Sequence, residues 1–368
     1  MNIGLVVPGG VDPSGEYRVI PALLALMRRL ARHHDLRVFA LHQQEQPSRW
    51  ELLGSPVWNI GARQTRTRAV RTICRQHQVR PLDLVHAIWS GTSGLVAVAA
   101  ARILGIPSLV HVAGGELVAL PEIGYGGRLS WKGRLREAVI LRGATQVSAA
   151  SGPMIASLAA LGIRARRVPL GVDLEAWPPR APVRRSAQQA ARLIHVASLN
   201  RVKDQTTLLR ALAALREWGL DFQMQMVGED TLRGEIQALA ERLGLLASVR
   251  FHGFLTQRAL RPLLEAAHVM MLASRHEAGP LALLEAAVVG VPTVGTAVGE
   301  IADWAPQAAL AAPVGDAARL AEHVARLLSD EDLRLRIAHE AWLRATREDA
   351  DFTARSFESI YEELRVRA

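Results

Sequence analysis

Three charged residues of this sequence stand where an apolar run ends and a helical pattern begins. Glu277 and Glu285 lie in the segment SRHEAGPLALLEAA, and Lys203 lies in the segment VASLNRVKD. Pro280 suits the first turn of a helix, which places Glu277 in a loop and Glu285 in the second turn. Carboxylates accept hydrogen bonds from vicinal hydroxyls and a compact ammonium pairs with a diphosphate, so these residues predict a ligand with sugar and phosphate groups.

Each of these residues also has an ordinary structural explanation. Glu277 fits a capping acid, and Glu285 fits a solvated glutamate on a helix. Lys203 is harder to dismiss as a generic surface cation, because lysine is rare among the 44 basic residues of this chain.

Two weaker signals lie in the first half of the chain. Gly9, Gly10 and Gly15 follow the first apolar run, and they predict either a backbone cradle for an anion at a helix N-terminus or a plain turn. The segment matches neither the dinucleotide fingerprint nor a P-loop, because the required spacings are absent. His111 stands at the end of another apolar run, where a lone histidine is more often structural than catalytic.

Apolar runs alternate with helical patterns along the chain, which predicts an α/β protein with parallel sheets built from βαβ units. The pattern lapses between the two halves. We therefore predict two Rossmann-like doubly wound domains, residues 1–172 and 190–349, with a linker at 173–189 and an amphipathic helix at about 350–368. The expected strands cover residues 3–7, 36–41, 84–88, 108–112, 145–149, 193–197, 222–227, 249–251, 269–272 and 293–295. The expected helices of the first half cover residues 17–33, 66–77, 95–104 and 134–141.

Composition limits the class of protein. With 368 residues, 49% hydrophobic and 21% charged, the chain is expected to form soluble globular domains. It has one cysteine and no basic stretch before its first apolar run, so neither a disulfide nor a secretion signal is expected and a cytoplasmic location is the default. Nucleic acid is not an expected partner, because aromatic residues make up only 5% of the sequence and no known nucleic-acid-binding motif occurs.

The formal net charge of +9 is concentrated in the first half of the chain. Basic residues cluster around Trp131 and, separately, in a predicted helix earlier in the chain. Such clusters fit either a solvated helix face or contact with an anionic membrane surface or a phosphorylated acceptor. The two clusters are Arg128, Lys132, Arg134 and Arg136, and Arg63, Arg66, Arg68, Arg71 and Arg75.

Taken together, these segments resemble the retaining GT-B glycosyltransferases of family 4, over essentially the whole chain. The pair Glu277 and Glu285, with seven residues between them, is the most specific mark of that family. Lys203, His111 and the loop from Gly9 to Gly15 resemble its other motif positions. The resemblance implies two Rossmann-like domains facing a central cleft, with the C-terminal helix crossing back to the first domain. It also implies transfer of a sugar from a nucleotide diphosphate sugar, with retention of anomeric configuration and without a covalent nucleophile.

The resemblance further implies a role for each site residue. Glu277 and His111 would be catalytic, by orienting the donor sugar. Ser198 stands where the family usually has arginine, and Pro280 lacks an N–H group, so Arg201 and the backbone of Leu281 and Ala282 would take over contacts to phosphate. The implied donor-binding residues are Gly9, Gly10, Gly15, Ser198, Arg201, Lys203, Gly253, Phe254, Gly279, Leu281, Ala282 and Glu285.

The sequence also supports expectations about cofactors, about the acceptor and about alternative functions. No Asp-x-Asp motif or Cys/His cluster occurs, so no cofactor and no essential metal are expected. No sequence motif identifies the acceptor, although a lipid-linked or phosphorylated glycan at the inner membrane face fits the basic first half of the chain. One alternative is a GT-B nucleotide-sugar epimerase. The other is a non-catalytic GT-B partner or scaffold protein, which the residues Ser198 and Pro280 favour.

Overall fold

The computed structural model describes residues 1–186 and 190–367, and it divides into two compact units. The first unit contains Met1–Asp173 together with the segment from Asp349 onward, and the second contains Leu174–Glu348. Each unit has a sheet of parallel strands with helices on its faces, as the alternating sequence pattern predicts. The last three residues of the predicted linker, 187–189, lie outside the described residues.

The first unit has an eight-stranded sheet in the order β3-β4-β2-β1-β5-β6-β7-β8. All neighbours are parallel except β3 and β4, which form an antiparallel pair. Its strands are β1 Asn2–Val7, β2 Asp35–Ala40, β3 Ser48–Leu52, β4 Ser55–Asn59, β5 Leu84–Ile88, β6 Ser108–Val112, β7 Gln146–Ala149 and β8 Ala165–Arg167. Its helices are α1 Pro21–His33, α2 Thr65–Val79, α3 Leu95–Leu104, α4 Trp131–Gly143, α5 Gly152–Ala160 and, at the end of the chain, α13 Ala350–Arg367.

The second unit has a six-stranded parallel sheet in the order β11-β10-β9-β12-β13-β14. This is the order of a doubly wound sheet, in which the direction of winding reverses between β9 and β12. Its strands are β9 Ala191–Val196, β10 Phe222–Val227, β11 Val249–Gly253, β12 Val269–Leu272, β13 Thr293–Thr296 and β14 Ala309–Ala312. Its helices are α6 Gln205–Glu217, α7 Glu235–Arg242, α8 Gln257–Glu265, α9 Leu281–Val288, α10 Gly299–Trp304, α11 Ala317–Ser329 and α12 Glu331–Arg347.

The final helix belongs to the first unit, which confirms that the chain returns to it. Phe357, Ile360, Tyr361 and Leu364 of α13 are buried in the same core as β1, β2 and α1. The buried Arg29 of α1 adds charged contacts, because its Nε lies 2.5 Å from an Asp351 oxygen and its Nη2 lies 3.0 Å from an Asp173 oxygen. Within the part of the chain that the structure describes, no helix combines the length and apolarity that a membrane span requires.

The first helix is the clearest local error of the sequence prediction. It was expected to begin at residue 17 but begins at Pro21. The backbone before it folds back on itself, because Val11 forms a bridge with Val19 and the N–H of Ile20 donates to the carbonyl of Gly10 at 3.0 Å. Helical periodicity in the side chains cannot reveal such a backbone pairing. The glycine-rich loop is therefore not directly followed by a helix N-terminus.

Candidate functional site

The site follows from the order of strands in the second unit. Ligands of doubly wound sheets bind outside the carboxyl ends of the strands, where the winding reverses. In this sheet that point lies between β9 and β12. The loop after β9 carries Ser198, Arg201 and Lys203, and the loop after β12 carries Glu277 and Gly279, so the two most informative sequence segments meet there.

Lys203 and Glu277 form an ion pair across these two loops. Lys203 Nζ lies 2.6 Å from Glu277 Oε1, and the hydroxyl of Ser274 donates to the same oxygen at 2.6 Å. The side chain of Glu277 is only 8% exposed, whereas that of Lys203 is 23% exposed. The carboxylate thus holds the ammonium in a defined position, from which the ammonium can still reach an anion in solvent.

A second set of contacts fixes the two loops to each other. Arg275 Nε lies 3.2 Å from Asp204 Oδ2, and the N–H of Arg275 donates to the carbonyl of Val202 at 2.8 Å. The N–H of Lys203 donates to Asn200 Oδ1 at 3.1 Å. These residues position Lys203 and Glu277 without themselves being signalled by a sequence motif.

Two further positioning residues were missed by the sequence analysis. The buried His195 receives a hydrogen bond from Gln205 at 3.1 Å and donates from Nδ1 to the carbonyl of Met271 at 2.8 Å, which links β9 to β12. Burial lowers the pKa of His195 to about 4, so the ring is neutral and this assignment of donor and acceptor is stable at pH 7. Gly299 has a φ of +52°, and a Cβ there would lie 2.5 Å from the carbonyl oxygen of Glu277, so only glycine fits.

The start of α9 offers backbone donors next to this ion pair. Pro280 is the cap residue of the helix rather than part of its first turn, and it has an extended backbone. The first N–H groups of α9 belong to Leu281 and Ala282, and among the described residues none provides a side-chain cap for this helix. Free N–H groups and the positive end of the helix dipole favour an anion at this position.

Glu285 lies in the second turn of α9 and is only 4% exposed. Its Oε1 accepts a hydrogen bond from Gln257 Nε2 at 3.0 Å. Burial raises the pKa of Glu285 to about 8. The hydrogen bond from Gln257 lowers the pKa, but by less than burial raises it. At pH 7 this side chain is therefore a neutral carboxylic acid, able both to donate and to accept a hydrogen bond.

This protonation predicts a pH-dependent stability. The folded protein keeps the Glu285 proton up to about pH 8, whereas an unfolded chain releases it near 4.5, so the associated stability is complete below pH 4.5 and is lost as the pH rises through 8. Glu285→Gln removes this dependence. We expect the variant to gain a few kcal/mol of unfolding free energy relative to the parent between pH 5 and pH 8, at about 1.4 kcal/mol per pKa unit.

Denaturant unfolding at both pH values measures the gain, with Glu322→Gln on the exposed face of α11 as control. An equal effect of pH on the parent and on Glu285→Gln contradicts the prediction.

The remaining predicted donor residues of the second unit have different surroundings. Ser198 is exposed, and its carbonyl accepts from Gln205 at 3.1 Å. Gly253 ends β11 with a φ of +67°, and the neighbouring Phe254 is 53% exposed. Arg201 is directed to Glu235 of α7, at 3.2 Å, and its side chain is 60% exposed. The Arg201 guanidinium and the Glu235 carboxylate are both largely exposed, and exposed ion pairs are weak, so the phosphate contact of Arg201 stays a prediction.

Part of the backbone of the glycine-rich loop in the first unit is already hydrogen-bonded to a side chain of the protein. Gln43 Oε1 accepts hydrogen bonds from the N–H groups of Gly10 at 2.7 Å and of Val11 at 3.0 Å. Gly10 has a φ of +80° and fits against Ile20, whereas a Cβ on Gly15 would meet nothing within 4 Å. A Cβ on Gly9 would lie 3.2 Å from the same Gln43 oxygen. Gly10 thus serves a tight turn around Gln43, which corrects the donor-binding role predicted for its backbone, whereas the roles of Gly9 and Gly15 stay predictions.

His111 is also not placed as predicted. Its side chain is fully buried, its Nδ1 lies 3.0 Å from the hydroxyl of Ser148, and its ring packs edge-on against Phe357 of α13. Burial lowers the pKa of His111 to about 3. A substrate cannot contact a ring covered by the final helix, so the structure contradicts the catalytic role and supports the structural alternative.

Comparison with known proteins agrees with this architecture. The family model described as "Glycosyl transferases group 1" matches residues 182–343, and the one described as "Glycosyl transferase 4-like domain" matches residues 19–171. EpsF of Bacillus subtilis (strain 168), named as a glycosyltransferase, is 31% identical over 245 residues, which cover 62% of this chain and 61% of EpsF. The chain thus spans less than two thirds of the length of that relative.

Two solved structures have the same fold. Sucrose-phosphate synthase from Thermosynechococcus elongatus covers 100% of this chain and 100% of its own, with a TM-score of 0.86 and 20% identity. Anabaena HepE in complex with UDP-glucose covers 99% of this chain and 100% of its own, with a TM-score of 0.77 and 19% identity.

Proposed function

This chain belongs to the GT-B glycosyltransferases of the group 1, family 4 type, and on that premise we propose that it transfers a sugar from a nucleotide diphosphate sugar to an acceptor hydroxyl. The observation that carries the proposal is the Lys203–Glu277 ion pair beside the start of α9, at the point where the winding of the second sheet reverses. A cation and uncapped helix N–H groups suit a diphosphate, and a carboxylate suits sugar hydroxyls.

The proposed reaction retains the configuration of the anomeric carbon. The bond from that carbon to the phosphate oxygen breaks, and the acceptor oxygen bonds to the same face of the sugar while its proton passes to the leaving phosphate. Negative charge grows on the diphosphate during this step, so fixed positive partners accelerate it. Lys203 and the N–H groups of Leu281 and Ala282 would serve as these partners, Glu277 would orient the sugar, and Glu285 would bind the ribose.

The acceptor is unassigned, so water serves as the acceptor in the experiment that tests this proposal. Purified protein is incubated with UDP-glucose first, because HepE was solved with that molecule, and then with other UDP-, GDP- and ADP-sugars. Proton NMR follows the anomer released at early times. We expect one donor to be consumed with its own anomeric configuration in the first product. The opposite anomer contradicts retention, and a donor that binds without any turnover favours the non-catalytic partner protein instead.

Independence from metal ions is part of the same proposal. Among the described residues, no group of three or more His, Cys, Asp or Glu side chains is arranged to hold a metal. The proposal itself rests on Lys203 and the start of α9, which supply positive charge where the diphosphate would lie. The NMR experiment repeated with excess chelator tests it, and loss of turnover that magnesium restores contradicts it.

We also propose that one face of the first unit contacts an anionic membrane. Trp131, Leu135 and Val139 recur one helical turn apart on α4 and are 64%, 57% and 53% exposed, and Leu129 just before the helix is 40% exposed. We call these four residues the α4 apolar face. Basic side chains surround it, so its charge complements acidic headgroups and its apolar row suits the acyl boundary. Arg66, Lys132 and Arg136 line the same groove as these residues, and Arg128 and Arg134 lie close to them in the sequence.

Vesicle co-sedimentation tests this surface. The parent protein is expected to bind vesicles that contain phosphatidylglycerol and to release them at high salt, because exposed charges are screened. Replacing Trp131 and Leu135 together by serine removes most of the apolar contact, and we expect binding to fall at least tenfold. Trp218→Ser, at a tryptophan of the second unit that is 50% exposed, is the matched control. If the double variant binds vesicles as well as the parent, the α4 apolar face is ordinary solvated surface and the membrane proposal is wrong.

A further inference from the structure

A side-chain contact in the second unit joins the loop after β11 to the second turn of α9. Gln257, the first residue of α8, donates a hydrogen bond from its Nε2 to Glu285 Oε1 at 3.0 Å. No other described residue hydrogen-bonds to the Glu285 carboxyl group. Gln257 therefore sets the direction in which this carboxyl group points.

The contact lies at the boundary between the core and the solvent. Glu285 is 4% exposed, whereas Gln257 is half-buried. Within the described part of the chain, Glu285 Oε2 and the amide oxygen of Gln257 make no hydrogen bond, and neither belongs to the fully enclosed polar atoms. A carboxyl group that is held by one oxygen can thus present the other oxygen to a ligand.

The position of this contact matches the order of groups in a nucleoside diphosphate, where the pentose lies between the base and the phosphates. Phe254, which precedes Gln257 in the loop after β11, is 53% exposed and offers a ring on which a base can stack. Leu281, one turn before Glu285, carries one of the N–H groups proposed to bind the diphosphate. The Gln257–Glu285 contact therefore stands where the pentose of the donor would lie.

A fixed carboxyl group can distinguish ribose from 2′-deoxyribose. Ribose has two vicinal hydroxyl groups, whereas the deoxy sugar has lost one of them. A carboxyl group that rotates freely adapts to the remaining hydroxyl, but one that is held in place is left with an unpaired polar atom. Sites that hydrogen-bond a substrate hydroxyl discriminate strongly against the analogue without it for this reason.

We propose that Gln257 is a positioning residue, which orients the carboxyl group of Glu285 so that the donor site selects ribonucleoside diphosphate sugars over their 2′-deoxy counterparts. This inference rests on the proposed function and adds the pentose of the donor to the points of selection. Gln257 acts through Glu285, and it needs no contact of its own with the reacting atoms.

Isothermal titration with matched nucleotides tests the proposal on the whole chain. The probes are UDP, GDP and ADP, each paired with its 2′-deoxy form. For the base that the parent binds, we expect the ribose form to bind about tenfold or more tightly than the deoxy form. Gln257→Met keeps the length of the side chain but cannot donate a hydrogen bond. We expect this variant to lose most of the preference, chiefly because the ribose form binds more weakly.

A double-mutant cycle shows whether Gln257 acts through Glu285. Glu285→Ala is expected to remove the preference for ribose, and Gln257→Met should cause no further loss in that background. Additive losses contradict a positioning role, because Gln257 would then contact the pentose by itself. Gln223→Met, at an exposed glutamine of β10, is the matched control and should leave the preference unchanged.

The outcomes distinguish this inference from the proposed function. A parent protein that binds both forms of a nucleotide equally well overturns selection of ribose and leaves the donor proposal intact. A Gln257→Met variant that keeps the full preference of the parent overturns the role of Gln257. Binding of the deoxy form, which should match that of the parent, verifies that the variant is folded. A folded parent that binds none of the six nucleotides overturns both proposals.

Discussion

Lys203→Ala is expected to weaken binding of UDP by about 10- to 100-fold and to leave binding of uridine unchanged. A hydrogen bond to a charged group is worth about 1.5–3 kcal/mol, and each 1.4 kcal/mol changes affinity tenfold. Lys203 Nζ is held 2.6 Å from Glu277, so its ammonium is already oriented and little entropy is lost when phosphate binds. Isothermal titration with UDP, UMP and uridine separates the phosphate contribution from that of the nucleoside.

The sequence itself offers the control for this experiment. Lys132, on α4 of the first unit, is the only other lysine of the chain and is exposed. Lys132→Ala should leave all three affinities unchanged. The Lys203 variant also leaves the carboxylate of Glu277 without its cation, which lowers stability, so titrations belong well below the measured Tm of the variant. Equal losses for UDP and uridine contradict a phosphate role for Lys203.

Glu277→Gln is expected to lower kcat by about 100-fold, in the range found when one oriented group that stabilises the transition state is removed. The same change removes the negative partner of Lys203 without changing the size of the side chain. UDP affinity should therefore stay the same or increase, since phosphate no longer competes with a carboxylate for the ammonium. This opposite response of turnover and affinity distinguishes a sugar-orienting group from a merely structural one.

Donor hydrolysis and UDP titration on the same sample measure the two quantities for Glu277→Gln. Glu322→Gln is the matched control, because Glu322 is an exposed glutamate of α11 that pairs with Arg319 and not with a predicted site residue. Unchanged turnover returns Glu277 to the role of a loop-capping acid. A loss of UDP affinity equal to that of Lys203→Ala shows instead that the two residues act only as a structural pair.

The fold could be predicted from the sequence because the alternation of apolar runs and helical patterns is a local feature, visible without knowledge of tertiary contacts. The strands at 84–88, 108–112, 222–227 and 269–272 match the structure to the residue. The sequence also places Lys203 and Glu277 at strand ends. Their pairing was not predicted, because it depends on β9 and β12 being neighbours in the sheet.

The errors have a common physical cause. Gln43 accepts hydrogen bonds from the N–H groups of Gly10 and Val11, and Phe357 covers His111 from a helix at the far end of the chain. Neither contact is encoded near the residues that it affects, so local patterns could not reveal it.

The most direct test of the account is a thermal-shift panel of nucleotide diphosphates and their sugars, with chelator present, on the parent protein and on Lys203→Ala. A ligand at about 100 times its Kd adds about 2.7 kcal/mol of stability. The account predicts a clear rise in Tm for one nucleotide and its sugar in the parent, and a much smaller rise in the variant. A folded parent that responds to none of them, or a Lys203→Ala variant that responds as strongly as the parent, would contradict a donor site built on Lys203 and Glu277.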